Sequence, residues 1–159
     1  MTADASLLLA ACGLYCGACY HYRASFHTPD RLAEEATRRG RSPQGFTCQG
    51  CRSDRLYMQP GCAQCSLRAC ADEKGLLHCG LCPQFPCAQL RAFQSDGRVH
   101  HVDIFGQLEE LVEQGPGPWL AGQARRWTCV CGEPFGWYEQ TCPHCGRALD
   151  SYGVDPSLE

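Results

Sequence analysis

Isoleucine occurs once, at position 104, and valine is absent from the first 98 residues. Extended strands draw on β-branched side chains, so this stretch is expected to form short helices and turns and not a sheet. Lysine also occurs once, as Lys74, which leaves basic character to arginine. The densest basic run, "RRGR" at Arg38 to Arg41, reads as a solvated helix end and not as a phosphate-binding patch. Long apolar runs are missing too: nothing approaches the 18 or more residues of a membrane span. "LAAC" at Leu9 to Cys12 has the form of a lipoprotein cleavage box. Yet the run from Leu7 to Ala11 is short and no Lys or Arg precedes it, which argues against a secretory leader. The expected setting is a reducing cytoplasm, with no membrane association.

What the chain has in abundance is cysteine, 15 in 159 residues. In a reducing compartment closely spaced cysteines are ligands more often than disulfides. The apolar material otherwise available is a scatter of Leu, Tyr and Phe. Metal binding supplies what this thin core cannot, since a structural zinc site contributes on the order of 10 to 16 kcal/mol in small peptides. The formal charge of −3 counts thiols as neutral. Four thiolates around Zn2+ leave a net −2, so several such sites make the folded protein more acidic and disfavour nucleic-acid binding.

Four regions separate by composition. Residues 1–98 carry eleven cysteines, 99–126 none, 127–149 four, and 150–159 form a polar tail expected to be flexible. In the second region Ile104, Leu108, Leu111 and Val112 make one apolar stripe at helical spacing, stopped by Gly115 and Pro116. "WLAGQARRW" extends this helical linker, with Pro118 at its first position, and the linker is expected to pack on the cysteine-rich part with Trp119 and Trp127 as aromatic filling. In the first region "RLAEEATRRG", "SLRACADEKG" and "PCAQLRAF" read as short helices. The fold class expected is a small, metal-scaffolded, irregular mainly-α domain of short helices and cysteine knuckles, followed by a C-terminal β zinc ribbon.

The last four cysteines give the clearest ligand pattern. "CVCG" and "CPHCG" are two knuckles ten residues apart, each followed by a glycine, and Cys129, Cys131, Cys142 and Cys145 are expected to close one tetrahedral zinc site. Rubredoxin-like iron sites prefer C-x2-C in both knuckles, whereas the first knuckle here is C-x-C. His144 lies between two ligands and reads as a surface residue. In the first region Cys48, Cys51, Cys62 and Cys65 repeat the spacing and could form a closed site, with Cys70, Cys79, Cys82 and Cys87 as a second. Spacing does not fix which residues share an ion, and an interleaved arrangement uses the same number of ligands. Cys12, Cys16 and Cys19 are one short of four. His21 or His27 is a candidate to complete them, with His78 behind; otherwise the site keeps an open position, the arrangement a catalytic metal uses. Arg52, Arg55 and Arg68 lie near these thiols and read as charge compensation.

"CGLYCGAC", "CQGC" and "CAQCSLRACADEKGLLHCGLCPQFPCAQL" resemble the ordered cysteine signature of an uncharacterised bacterial and archaeal domain-of-unknown-function family, over about residues 10 to 95. "WLAGQARRW" and the appended ribbon resemble a subset of it. The resemblance implies a shared metal-binding scaffold, taken to hold zinc, and brings no activity. The C-x3-C-x2-C spacing at Cys12, Cys16 and Cys19 is also that of radical-SAM enzymes. Ala18 stands where those have an aromatic residue, and the Val- and Ile-free stretch cannot build their barrel.

These residues point to a zinc protein with about three or four Zn2+ ions in structural sites, each made by four cysteines or by three cysteines and one histidine, acting without catalysis by docking another protein. The alternative is an iron-sulfur protein, with clusters on the N-terminal cysteines, serving as electron carrier or accessory to an anaerobic redox enzyme. A third reading is thiol-redox or metal-delivery work at labile cysteines. No carboxylate pair or Ser/His nucleophile motif suggests an enzyme.

Overall fold

The structure, a computed structural model, describes residues 5–26 and 29–155. After a 3-10 turn at Ala5–Leu8 the chain forms α1 (Tyr20–Phe26) and α2 (Pro29–Arg38), then a long turn-rich stretch. There follow α3 (Pro60–Ala63), α4 (Ser66–Glu73), α5 (Ala88–Gln94), α6 (Ile104–Gln114) and α7 (Pro116–Arg126). The chain is mainly helical. Among the described residues backbone bridging is confined to three isolated antiparallel pairs, Leu9 with Tyr15, Thr128 with Pro134 and Thr141 with Ala148.

Local sequence explains the elements. The α6 stripe puts Ile104, Leu108 and Leu111 wholly out of water, while Val112 stays half exposed. Each of the three contributes roughly 1.5 to 3 kcal/mol by burial. Gly115 ends α6, and the chain re-enters helix at once because Pro116 occupies the first position of α7, where its missing N–H is no loss. The helix expected from Pro118 thus starts two residues earlier. α2 stops at Arg38, and α4 buries Leu67 and Ala71.

One cluster of buried residues runs through the whole molecule, from Leu9 and Leu14 through Leu67, Leu90 and Leu108 to Trp119, Trp127, Phe135 and Trp137. The core is therefore continuous across positions 98 and 126. Gly13, at φ 89°, makes this possible: a Cβ there would stand 2.6 Å from Leu108 Cγ, so only glycine lets the cysteine loop lie on α6. A smaller cluster of Ala24, Ala36 and Phe46 joins α1 to α2.

One expectation needs correction. The β ribbon expected over 127–149 is reduced to the two bridges above, because each hairpin turns back within a few residues and leaves no length for a ladder of about five. Of the tail expected to be flexible, residues 156–159 lie outside the described residues, and contacts run as far as Asp155. Leu149 and Tyr152 donate backbone hydrogen bonds to Gln140 and Trp137, and buried Asp155 pairs with Arg39 at 2.8 Å.

Candidate metal centre

Cys129, Cys131, Cys142 and Cys145 come together in the hairpins that follow α7. The Cys129 N–H donates to the Glu133 carbonyl at 2.8 Å and the Cys142 N–H to the Arg147 carbonyl at 2.8 Å, which folds each knuckle back on itself. Gly132 and Gly146, at φ 92° and 72°, supply the left-handed residue each turn requires. All four sulfurs lie within 4.8 Å of one another. Cys129 and Cys145 are 3.7 Å apart and Cys131 and Cys142 3.6 Å. A disulfide needs about 2.0 Å. A tetrahedron of sulfurs with metal bonds of about 2.3 Å has edges of about 3.8 Å, so the observed spacing fits four ligands around one ion. This group can hold a metal ion. The Cys142 thiol is held below its ordinary range, first by the backbone N–H of Cys145 and then by that of His144, both aimed at its sulfur. Such donors stabilise the thiolate, which is the form that ligates. His144 itself is exposed.

Among the described residues no other group of Cys, His, Asp or Glu ligand atoms closes to that distance. Several of the eleven cysteines of the first region nonetheless lie near enough to act on one another's thiols. The Cys12 thiol is pushed up by burial and then by Cys51, Cys65 and Cys79. Burial likewise raises Cys16, with Cys51, Cys19 and Cys48 as neighbours, and Cys19, with Cys62 and Cys48. Cys62 is pushed up to about 11 by burial, against the pull of Gln59, whose Nε2 donates to its sulfur at 3.0 Å. Cysteines of the "CQGC" and "CAQC" knuckles thus act on Cys12, Cys16 and Cys19 as well as on each other.

Short backbone bonds set this arrangement. The Cys48 N–H donates to Ser25 Oγ at 2.7 Å, tying the first knuckle to α1. The Cys79 N–H donates to the Ala11 carbonyl at 2.7 Å, bringing the third knuckle beside Cys12. Cys79 is pushed up to about 11 by burial and then by Cys87, Cys70 and Cys82. These four cysteines line one small cavity together with Lys74, whose Nζ lies 3.6 Å from Cys82 Sγ. At about 20 Å3 it admits a single guest the size of an ion or a water.

The histidine candidates fare differently. His21 is buried, with Nδ1 at 3.0 Å from the Phe46 carbonyl and its ring against Phe46, so its ring joins α1 to the loop after α2. His27 lies outside the described residues. His78 is buried beside Cys79, with no hydrogen-bond partner at Nδ1 among the described residues. Arg68 and Arg52 both reach Asp72, and each lowers the Cys51 thiol against the larger effect of burial. No sequence pattern pointed to Gln59, Ser25 or the buried pair His100 and His101. Only the position of Gln59 just ahead of a helical Pro60 hinted at a cap, which its side chain provides to Gly61.

All fifteen cysteines are free, and no helix among the described residues is long and apolar enough to cross a membrane. A protein-family model described as "Protein of unknown function (DUF3795)" matches residues 8–92. No curated protein and no solved structure matches the chain.

Proposed function

Because the chain belongs to the DUF3795 family, whose function is unknown, its role has to be argued from its own thiols, and we infer that it is a zinc-scaffolded, non-catalytic binding module. The observation that carries this reading is the sulfur spacing of 3.6 to 3.7 Å at the C-terminal site, which suits a closed four-thiolate zinc centre with no position left for a substrate. This is the zinc-ribbon arrangement stripped to its two knuckles. In the first region Cys70, Cys79, Cys82 and Cys87 hold a second ion, and Cys12, Cys16, Cys19, Cys48, Cys51, Cys62 and Cys65 hold the rest. The burial of Cys12, Cys48 and Cys51 supports a structural role for this set, since a buried thiol without a cation stays protonated and inert. The metals shape a surface that docks another protein in the cytoplasm.

The deciding measurement is metal content together with the visible spectrum of protein purified without oxygen. A colourless protein with about three or four zinc ions per chain is expected. A brown protein rich in iron, absorbing broadly near about 400 nm, overturns the zinc reading in favour of an iron-sulfur carrier.

A further inference from the structure

Away from the thiols, α1, the turn after α2, the 96–100 turn and the C-terminal strap enclose a cleft of about 430 Å3, within the range of pockets that hold small organic molecules. Its walls are aromatic, with Tyr20, Phe46 and Tyr138, and three guanidinium groups, Arg39, Arg41 and Arg98, edge it. Both carboxylates of the cleft sit in ion pairs, Asp96 with His101 at 2.9 Å and Arg98 at 3.3 Å, and Asp155 with Arg39 at 2.8 Å. Two Arg39 donors are left over. Arg39 lies 3.9 Å over the Tyr20 ring and uses Nη2 for its ion pairs, yet its Nε and Nη1 are buried with no partner among the described residues. Arg41 is exposed and makes no ion pair among the described residues. Buried donors without acceptors are rare in folded proteins, and a water or a bound group that reached the two on Arg39 would satisfy them.

The geometry points to a binding site for a small organic anion, with a phosphate or carboxylate head on Arg39 and Arg41 and a planar apolar body against Tyr20 and Tyr138. Guanidinium forks match both head groups in geometry, with charge-assisted bonds about twice as strong as neutral ones. The aromatic walls favour a planar body over a bare ion. His100 closes the floor: its ring stacks on Trp137 at 4.2 Å and its Nδ1 is 2.5 Å from Tyr138 Oη, which fixes the phenol that the ligand meets. The site is independent of the metal reading, because none of its residues is among the thiols.

The test is a titration of the metal-replete protein, followed by amide NMR, with phenyl phosphate, benzoate, inorganic phosphate and benzyl alcohol. Saturable shifts centred on Tyr20, Gly97 and Tyr138 are expected with phenyl phosphate or benzoate, and the tighter of the two identifies the head group. Inorganic phosphate and benzyl alcohol are expected to bind at least about tenfold more weakly. Arg41→Gln, at an exposed position that leaves the fold intact, is expected to weaken the better anion about fivefold, and Arg39→Lys by more. No saturation by either aromatic anion up to about 10 mM overturns the site. So does equal binding by benzyl alcohol or inorganic phosphate, or an Arg41→Gln protein that binds as well as the parent.

Discussion

Each C-terminal sulfur has a different setting, and Cys142 is the most tightly prepared: it is buried and takes two backbone N–H donors. Cys142→Ser is therefore expected to remove about one metal equivalent per chain, whereas His144→Ala, at an exposed side chain between two ligands, is expected to remove none. Metal content after desalting checks both. His100 makes a different case. Burial, with help from His101 and Arg98, pushes its imidazole down to about 3 from the ordinary 6.5. The native state thus holds it neutral, and its contribution is complete above about pH 6.5 and is lost as the pH falls toward about 3, at about 1.4 kcal/mol per unit. In the metal-replete protein His100→Gln is expected to flatten the fall of the urea midpoint between about pH 6.5 and 5. An unchanged slope would mean that His100 does not carry it. The group of Cys129, Cys131, Cys142 and Cys145 was legible at this scale because close Cys spacings are a covalent pattern. The roles of Gln59, Ser25 and the two adjacent histidines were not, since each acts on a partner distant in sequence or through a cap that many residues could make.

Among the elements, α6 does most to join the regions. It faces the Cys79–Leu81 turn on one side and α7 on the other, and Leu108 reaches Gly13 in the first cysteine loop. Leu108→Ala is expected to cost about 2 to 5 kcal/mol, read as a lowered denaturation midpoint. Val112→Ala, at the half-exposed end of the same stripe, should stay within about 0.5 kcal/mol. The apolar period showed this helix and its stop in advance, because both depend on residues three and four apart. The ribbon failed as a β element for the converse reason: knuckle spacing encodes ligand geometry, not strand length, and four sulfurs can meet with two bridges between them. Which cysteines of the first region become neighbours was also hidden, since it depends on bonds such as Cys48 to Ser25 and Cys79 to Ala11 that no spacing rule states.

For the molecule as a whole, the apolar cluster and the thiols are the same object. Cys12, Cys51, Cys129 and Cys142 belong to the core that Leu108 and the tryptophans complete. Removing metal with a strong chelator is therefore expected to abolish the near-ultraviolet signal of the buried tryptophans as well as helical signal, and to open the first 98 residues to protease. Retention of both signals in metal-free protein would show that burial alone suffices. Composition had pointed to regions with separate characters, and the continuous core runs across their edges.

The strap that carries Asp155 sets an order of events during synthesis. Arg39 meets its carboxylate partner only when position 155 has left the ribosome, and Trp119, Trp127 and Trp137 emerge well after the last of the first eleven thiols. At a translation rate of roughly 5 to 20 residues per second, the interval between Cys87 and Asp155 lasts several seconds. Through that interval the first eleven sulfurs lack the cover of the three tryptophans, and this is the stage at which they are most open to solvent.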